Sequence, residues 1–186
     1  MLTREENLLL TQTSPGTPCG DYFRRFWLPA LHAWEVPEPD CAPVRVRIMS
    51  EDLVLYRGED GSLGLIGLYC PHRGTDLSYG RIEDGGLRCL YHGWLFDAAG
   101  RCLDQPAEKG GGVFREKIRH VAYPVREMGG VIFAFMGEGE PPILPDYEFL
   151  RQDENHRMVT KYYLECNWLQ AIEGNIDPAH LSYLHR

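Results

Sequence analysis

The chain has 186 residues, a net charge of −8 and 44% hydrophobic residues. The acidic balance argues against nucleic acid as a partner. The longest apolar run, Val131–Met136, is far short of the roughly 20 residues that cross a membrane. The N-terminus, Met-Leu-Thr-Arg-Glu-Glu-Asn, lacks the basic-then-apolar pattern of a signal peptide, so a cytoplasmic location is expected. A chain of this length is predicted to hold one domain and the beginning of another.

Residues 4–12 read as a short amphipathic helix, and residues 20–27 as a second one with Asp21 as its N-cap. The Pro-rich stretch 37–43 is a connector. From Val44 the pattern changes to period two: Val44-Arg-Val46-Arg-Ile48 alternates strictly, as a half-buried strand does. Strands are predicted over Leu53–Tyr56 and Leu63–Leu68, joined by a hairpin turn at Glu59–Ser62. Trp94–Phe96, a turn at Ala98–Gly100, a loop at Gly110–Gly112, strands near 118–127 and a strand over Val131–Met136 complete the series. Short strands at this rhythm make the fold mainly β, an antiparallel sandwich or barrel with N-terminal helices. Pro141, Pro142 and Pro145 close it. A further strand over Arg157–Cys166 and a helix after Asn167 then begin another domain, too short to bury a core of its own. The predicted divisions are 1–43, 44–140 and 155–186.

Two Cys/His pairs carry the chemistry. Cys70-Pro-His72-Arg-Gly74 and Cys89-Leu-Tyr-His92-Gly93-Trp94 each place one thiolate and one imidazole in a short loop turned by Pro or Gly. Two cysteines on one iron and two histidines on the other form the ligand set of a Rieske [2Fe–2S] centre. A structural Cys2His2 zinc site uses the same residue types. Zinc fingers usually keep both cysteines in one loop and both histidines in the other, whereas each loop here carries one of each. Cys19, Cys41, Cys102 and Cys166 show no pairing rhythm and read as reduced thiols.

A second constellation lies in Glu173-Gly-Asn-Ile-Asp177-Pro-Ala-His180-Leu-Ser-Tyr-Leu-His185. Two histidines and a nearby carboxylate suit a non-haem iron that binds dioxygen. A five-residue offset separates side chains by about 140° on a regular helix, so a kink or π-bulge is expected between His180 and His185. Asp177-Pro178 is equally a good helix start, with Asp as N-cap and Pro at N1.

With both motifs in this order, the chain resembles the oxygenase (α) component of Rieske non-haem iron oxygenases, especially the phthalate dioxygenase and vanillate O-demethylase branch. The resemblance implies that Cys70 and Cys89 hold the inner iron, His72 and His92 the outer one, and His180 and His185 the mononuclear Fe(II). It implies a reductase partner using NAD(P)H, flavin and iron–sulfur. It also implies an aromatic substrate with O2, a homotrimer, and Asp177 as the electron bridge between subunits. The family's third iron ligand is an aspartate far downstream, so the 186 residues by themselves are expected to be an inactive part of the oxygenase. A stand-alone Rieske ferredoxin is the alternative, against which the 155–186 segment argues. High-potential Rieske proteins of respiratory complexes carry a disulfide between the cluster loops, where Thr75 and Tyr91 stand here. Such proteins also place hydroxyl donors where this chain has Trp94 and Phe96, which predicts a potential toward the low end of the Rieske range.

Overall fold

The computed structural model describes residues 2–109 and 113–185. The predicted Gly110–Gly112 loop and Arg186 lie outside the described residues. Contacts divide the chain into two units: Arg24–Val159, and the residues up to Phe23 together with those from Thr160 onward.

The first unit is built from eleven strands: β1 (Trp27–His32), β2 (Val44–Ile48), β3 (Glu51–Arg57), β4 (Leu63–Gly67), β5 (Arg81–Glu83), β6 (Gly86–Arg88), β7 (Leu95–Phe96), β8 (Cys102–Asp104), β9 (Ala122–Tyr123), β10 (Val125–Met128) and β11 (Val131–Phe135). They form three antiparallel sheets ordered β1-β11-β10, β2-β3-β4-β9 and β5-β6-β7-β8. The central strands β3 and β4 of the middle sheet are buried on both faces, and the two-residue period of a strand decides which side chain goes where. Leu53, Leu55 and Leu65 pack with Ile132, Ala134 and Met136 of the β1-β11-β10 sheet region. Val54, Tyr56 and Ile66 instead pack with Leu87, Trp94, Phe96 and both loop cysteines. That double burial explains four consecutive buried residues in β3, each worth roughly 1.5–3 kcal/mol of burial for a large apolar side chain. On the outer face of β11, Val131, Phe133 and Phe135 are covered by Leu144 and Leu150, and Trp27 Nε1 donates to Pro142 O at 2.8 Å. The Pro-rich stretch thus packs on the sheets it follows.

Two expectations need correction, and four strands were not predicted. The second helix runs over Pro18–Phe23, and Asp21 sits inside its first turn, accepting from Gly16 N at 2.8 Å, instead of capping it. Residues 27–32 form β1, whose alternation is interrupted by Pro29 and a register shift between Pro29 and Leu31. Strands β5, β6 and β8 carried no prediction. Two of them flank Asp84-Gly85, a turn with φ of +51° and +78°, and that Asp-Gly pair was a hairpin signal in the sequence. Arg157–Cys166 forms no strand. It is exposed over nearly its whole length, and a strand exists only where a neighbour supplies the ladder.

The second unit holds the helices Arg4–Thr11, Pro18–Phe23, Trp168–Ile176 and Leu181–Leu184. Thr3 and Glu6 close a reciprocal capping box on the first. Asn167 caps the third by accepting from Leu169 N and Gln170 N. Trp168 ties the two ends of the chain together: its Nε1 donates to Leu10 O at 3.0 Å, and its ring meets Phe23 edge-on at 4.9 Å.

In the strand unit, burial holds His120 below its ordinary value of 6.5, while its Nε2 lies 2.8 Å from Gly67 O. An unfolded chain takes up this proton near pH 6.5 and the folded one only at lower pH. Stability therefore falls as pH drops below 6.5 toward the folded pKa. Urea midpoints at pH 7.5 and 5.5 should show a smaller acid-side loss for His120→Gln, whose amide still donates to Gly67 O but does not titrate.

Candidate metal centre

The two loops share one backbone device. Gly74 N donates to Cys70 O at 2.8 Å, and Gly93 N donates to Cys89 O at 3.1 Å. Each loop thus closes on its own cysteine through a glycine four residues on, with φ of +69° at Gly74 and +76° at Gly93, a region that favours glycine. Each cysteine is also anchored from its own N–H: Cys70 N donates to Thr75 O and Cys89 N to Trp94 O, both at 2.8 Å. The sulfurs point inward, with Cys70 and Cys89 each 2% exposed. The rings of His72 and His92 lie edge to face with centroids 4.5 Å apart.

Nδ1 of His72 and of His92 are both buried and without a hydrogen-bond partner. An unsatisfied buried polar atom costs about 1–3 kcal/mol, so two adjacent ones call for a common acceptor of their lone pairs. Burial pushes the Cys70 thiol up to about 11, partly offset by the His72 and Arg73 amides directed at its sulfur; the neighbouring Cys89 adds to the rise. A buried sulfur of this kind ionises when a cation is present to balance it. Cys89 stands close enough to Cys70 to interact with its thiol, and the two imidazole rings adjoin. The candidate ligands thus comprise a sulfur pair and a nitrogen pair, the donor set of a two-iron cluster.

Arg88, the residue before Cys89, is a clamp that sequence reasoning missed. It is 9% exposed. Its guanidinium donates to Gly93 O at 2.7 Å, to Asp104 Oδ2 and Asp84 Oδ2 at 2.8 Å each, and to Glu83 Oε1. One side chain thereby fastens the end of the second loop to β5, the β5–β6 turn and β8. A lone arginine in the sequence carries no signal for this, because its partners come from three separate segments.

The second constellation is assembled differently from its expectation. The helix Trp168–Ile176 ends at Asp177, whose φ of −87° and ψ of 104° are extended. Its Oδ1 accepts from Ala179 N at 2.8 Å and so closes a turn; the helix that Asp177-Pro178 was expected to start begins only at Leu181, with His180 at its N-cap position. The chain breaks before the histidines, and no π-bulge lies between them. His180 precedes the one-turn helix Leu181–Leu184, and His185 leaves helical geometry after it, with φ −107° and ψ 35°. That departure, in place of a bulge, overcomes the helical offset and brings the two rings to 5.4 Å. Asp177 Oδ2 stands 3.5 Å from His180 Nδ1. Glu173 is exposed and contacted by Gln170 Nε2 at 3.4 Å. Two imidazoles side by side with a carboxylate behind one of them suit part of a 2-His-1-carboxylate iron shell.

The chain belongs to the Rieske [2Fe–2S] domain family, whose pattern matches residues 26–127; the family supports a [2Fe–2S] cluster in this protein. Several of the relatives it resembles are oxygenase subunits. It is 43% identical over 188 residues to the 5,5'-dehydrodivanillate O-demethylase oxygenase subunit of a Sphingobium species, covering 100% of this chain and 44% of the relative. It is 44% identical over 191 residues to the phthalate 4,5-dioxygenase oxygenase subunit of Pseudomonas putida, covering 100% of this chain and 42% of the relative. The crystal structure of dicamba monooxygenase bound to dicamba matches with a TM-score of 0.75 at 30% identity, over 88% of this chain and 48% of that one. The chain thus spans less than half the length of these relatives. Among the described residues, no helix is long and apolar enough to cross a membrane.

The two loop glycines should respond differently to substitution. Gly74→Ala meets nothing within 4 Å, so it should cost only the left-handed backbone term, about 1–2 kcal/mol. A Cβ on Gly93 would sit 2.7 Å from Pro106 Cγ, so Gly93→Ala should cost clearly more and lower iron content. Denaturant midpoints and iron per chain measured on both variants check this ordering.

Proposed function

We propose that the chain is part of the terminal oxygenase component of a Rieske non-haem iron oxygenase acting on an aromatic substrate by hydroxylation or O-demethylation. The observation that carries the reading is the pair of buried, unpartnered Nδ1 atoms of His72 and His92 beside two buried cysteines. Its support from relatives extends along the whole chain, including the His180–His185 segment, which a stand-alone ferredoxin would not need.

In this reading Cys70 and Cys89 hold one iron of the cluster through sulfur, and His72 and His92 hold the other through Nδ1. When bound, the cluster supplies one-electron storage and transfer. His180 and His185 hold the mononuclear iron, which supplies the site for dioxygen; its carboxylate ligand is expected downstream. The chain's own residues do the positioning. The Gly74 and Gly93 closures keep the ligating atoms inward, and Arg88 keeps the second loop on its sheet. Because Nδ1 faces inward, Nε2–H of His92 is left to face outward. Asp177 orients His180 by accepting from its Nδ1–H, which leaves Nε2 as the ligating nitrogen. Across the interface of a homotrimer, the same carboxylate accepts from Nε2–H of His92 on a neighbouring copy. A flavin and iron–sulfur reductase using NAD(P)H is the electron donor in this scheme.

Two measurements test it. The reduced 186-residue chain should show the low-g, anisotropic paramagnetic signal of a Rieske centre and about two tightly held irons. His72→Ala and His92→Ala should each abolish that signal, and Cys166→Ser should leave it intact. A colourless, zinc-loaded protein would refute the reading. In the full-length oxygenase, Asp177→Asn should leave folding and cluster reduction unchanged, because Asn still caps a helix well, while turnover falls by orders of magnitude. Near-normal turnover would reduce Asp177 to a cap.

A further inference from the structure

Behind His72 lies Trp94, and beside it in the strand register lies Gln105, whose amide is directed at the Cys102 thiol. Trp94 is 4% exposed, and its ring lies over that of His72 at 4.6 Å with an interplanar angle of 4°. Its Nε1 is buried without a partner. Gln105 is likewise 4% exposed, and both its Nε2 and its Oε1 lack a partner. The register brings the two residues together. Leu95 faces Asp104 across β7 and β8, so the next positions outward are Trp94 opposite Gln105 and Gly93 opposite Pro106. The 2.7 Å approach of Pro106 Cγ to a Cβ built on Gly93 agrees with that continuation. Gln105 also neighbours the Cys102 thiol, whose pKa burial raises and the amide lowers. Phe114 closes over the outer edge of Trp94, with centroids 6.2 Å apart and planes at 70°.

Native proteins leave few buried polar groups unpaired, and each costs about 1–3 kcal/mol. Here an indole N–H, which can only donate, belongs to a ring stacked on His72, and the β7–β8 register sets a carboxamide beside it. A ligand that accepts hydrogen bonds through soft, negatively charged atoms satisfies them together. We propose that Trp94 and Gln105 are hydrogen-bond donors to the sulfur of the iron–sulfur group, setting its reduction potential from the His72 side; this rests on the cluster reading above. Reduction adds negative charge to the group, and donors to its sulfurs favour the more negative state. Trp94 lacks the hydroxyl found at this place in high-potential relatives but supplies its indole N–H instead, so its loss makes the centre harder to reduce.

The test uses the 186-residue protein and two shape-conserving variants, Trp94→Phe, which keeps a ring over His72, and Gln105→Met. Voltammetry and the paramagnetic spectrum of the reduced protein are recorded for all three. Both variants should keep the Rieske signal and show a several-fold lower equilibrium constant for reduction, tenfold being about 59 mV for one electron. Pulsed spectra in H2O and D2O should show an exchangeable-proton coupling that Trp94→Phe lacks. Should Gln105→Met fail to hold the cluster, the potential and coupling of Trp94→Phe decide. Potentials within twofold of wild type and an unchanged coupling would overturn the proposal, because a Trp94–Gln105 pair that merely satisfies itself predicts that outcome. A wild-type protein without the Rieske signal would instead overturn the cluster reading.

Discussion

Four inward-facing atoms, the sulfurs of Cys70 and Cys89 and Nδ1 of His72 and His92, are the constraint around which the strand unit is organised. The two nitrogens lack partners, and the sulfurs are buried among apolar side chains, that of Cys70 met by the His72 and Arg73 amides. Everything nearby keeps them so. The two loops close on their own cysteine carbonyls, and the glycines that permit this occupy the left-handed region. Val54, Tyr56 and Ile66 of the middle sheet form the dry floor on which the loops rest.

The same constraint explains an otherwise costly choice, a nearly buried arginine next to a ligand cysteine. A buried charge is tolerated when its hydrogen bonds are saturated, and removing one partner of such a group is strongly destabilising. Arg88 meets three carboxylates and a carbonyl. These acceptors sit on segments whose backbone ladders are just two or three residue pairs long. A sheet of such short strands has little backbone pairing to hold it, and a multidentate cation supplies the missing cross-links.

Much of the site was legible because its signals are local. Cys-x-His and Cys-x-x-His within Gly- or Pro-turned loops name their chemistry without reference to the rest of the chain. Val44–Ile48 announced its strand because one face is buried and the other wet. β1 was illegible since Pro29 and a register shift interrupt its alternation. Arg157–Cys166 misled in the opposite direction, its strand-like composition having no neighbouring ladder to join. His180 and His185 were identified by spacing, but the means of bringing them together was not. The Asp177-Pro178 break and the non-helical backbone of His185 do what a π-bulge was expected to do.

What the sequence by itself determined is therefore the candidate ligand set and the loops that carry it, because residue type and spacing within a few positions are enough to specify a thiolate, an imidazole and a turn. Tertiary structure decided which further groups surround those ligands. Arg88 became a clamp only when Glu83, Asp84, Asp104 and Gly93 were drawn around it. Trp94 and Gln105 became neighbours only through the β7–β8 register, which set a carboxamide beside the ring that stacks on His72. Burial and hydrogen-bond satisfaction belong to pairs of residues distant in the chain, and no local pattern encodes the partner that will arrive.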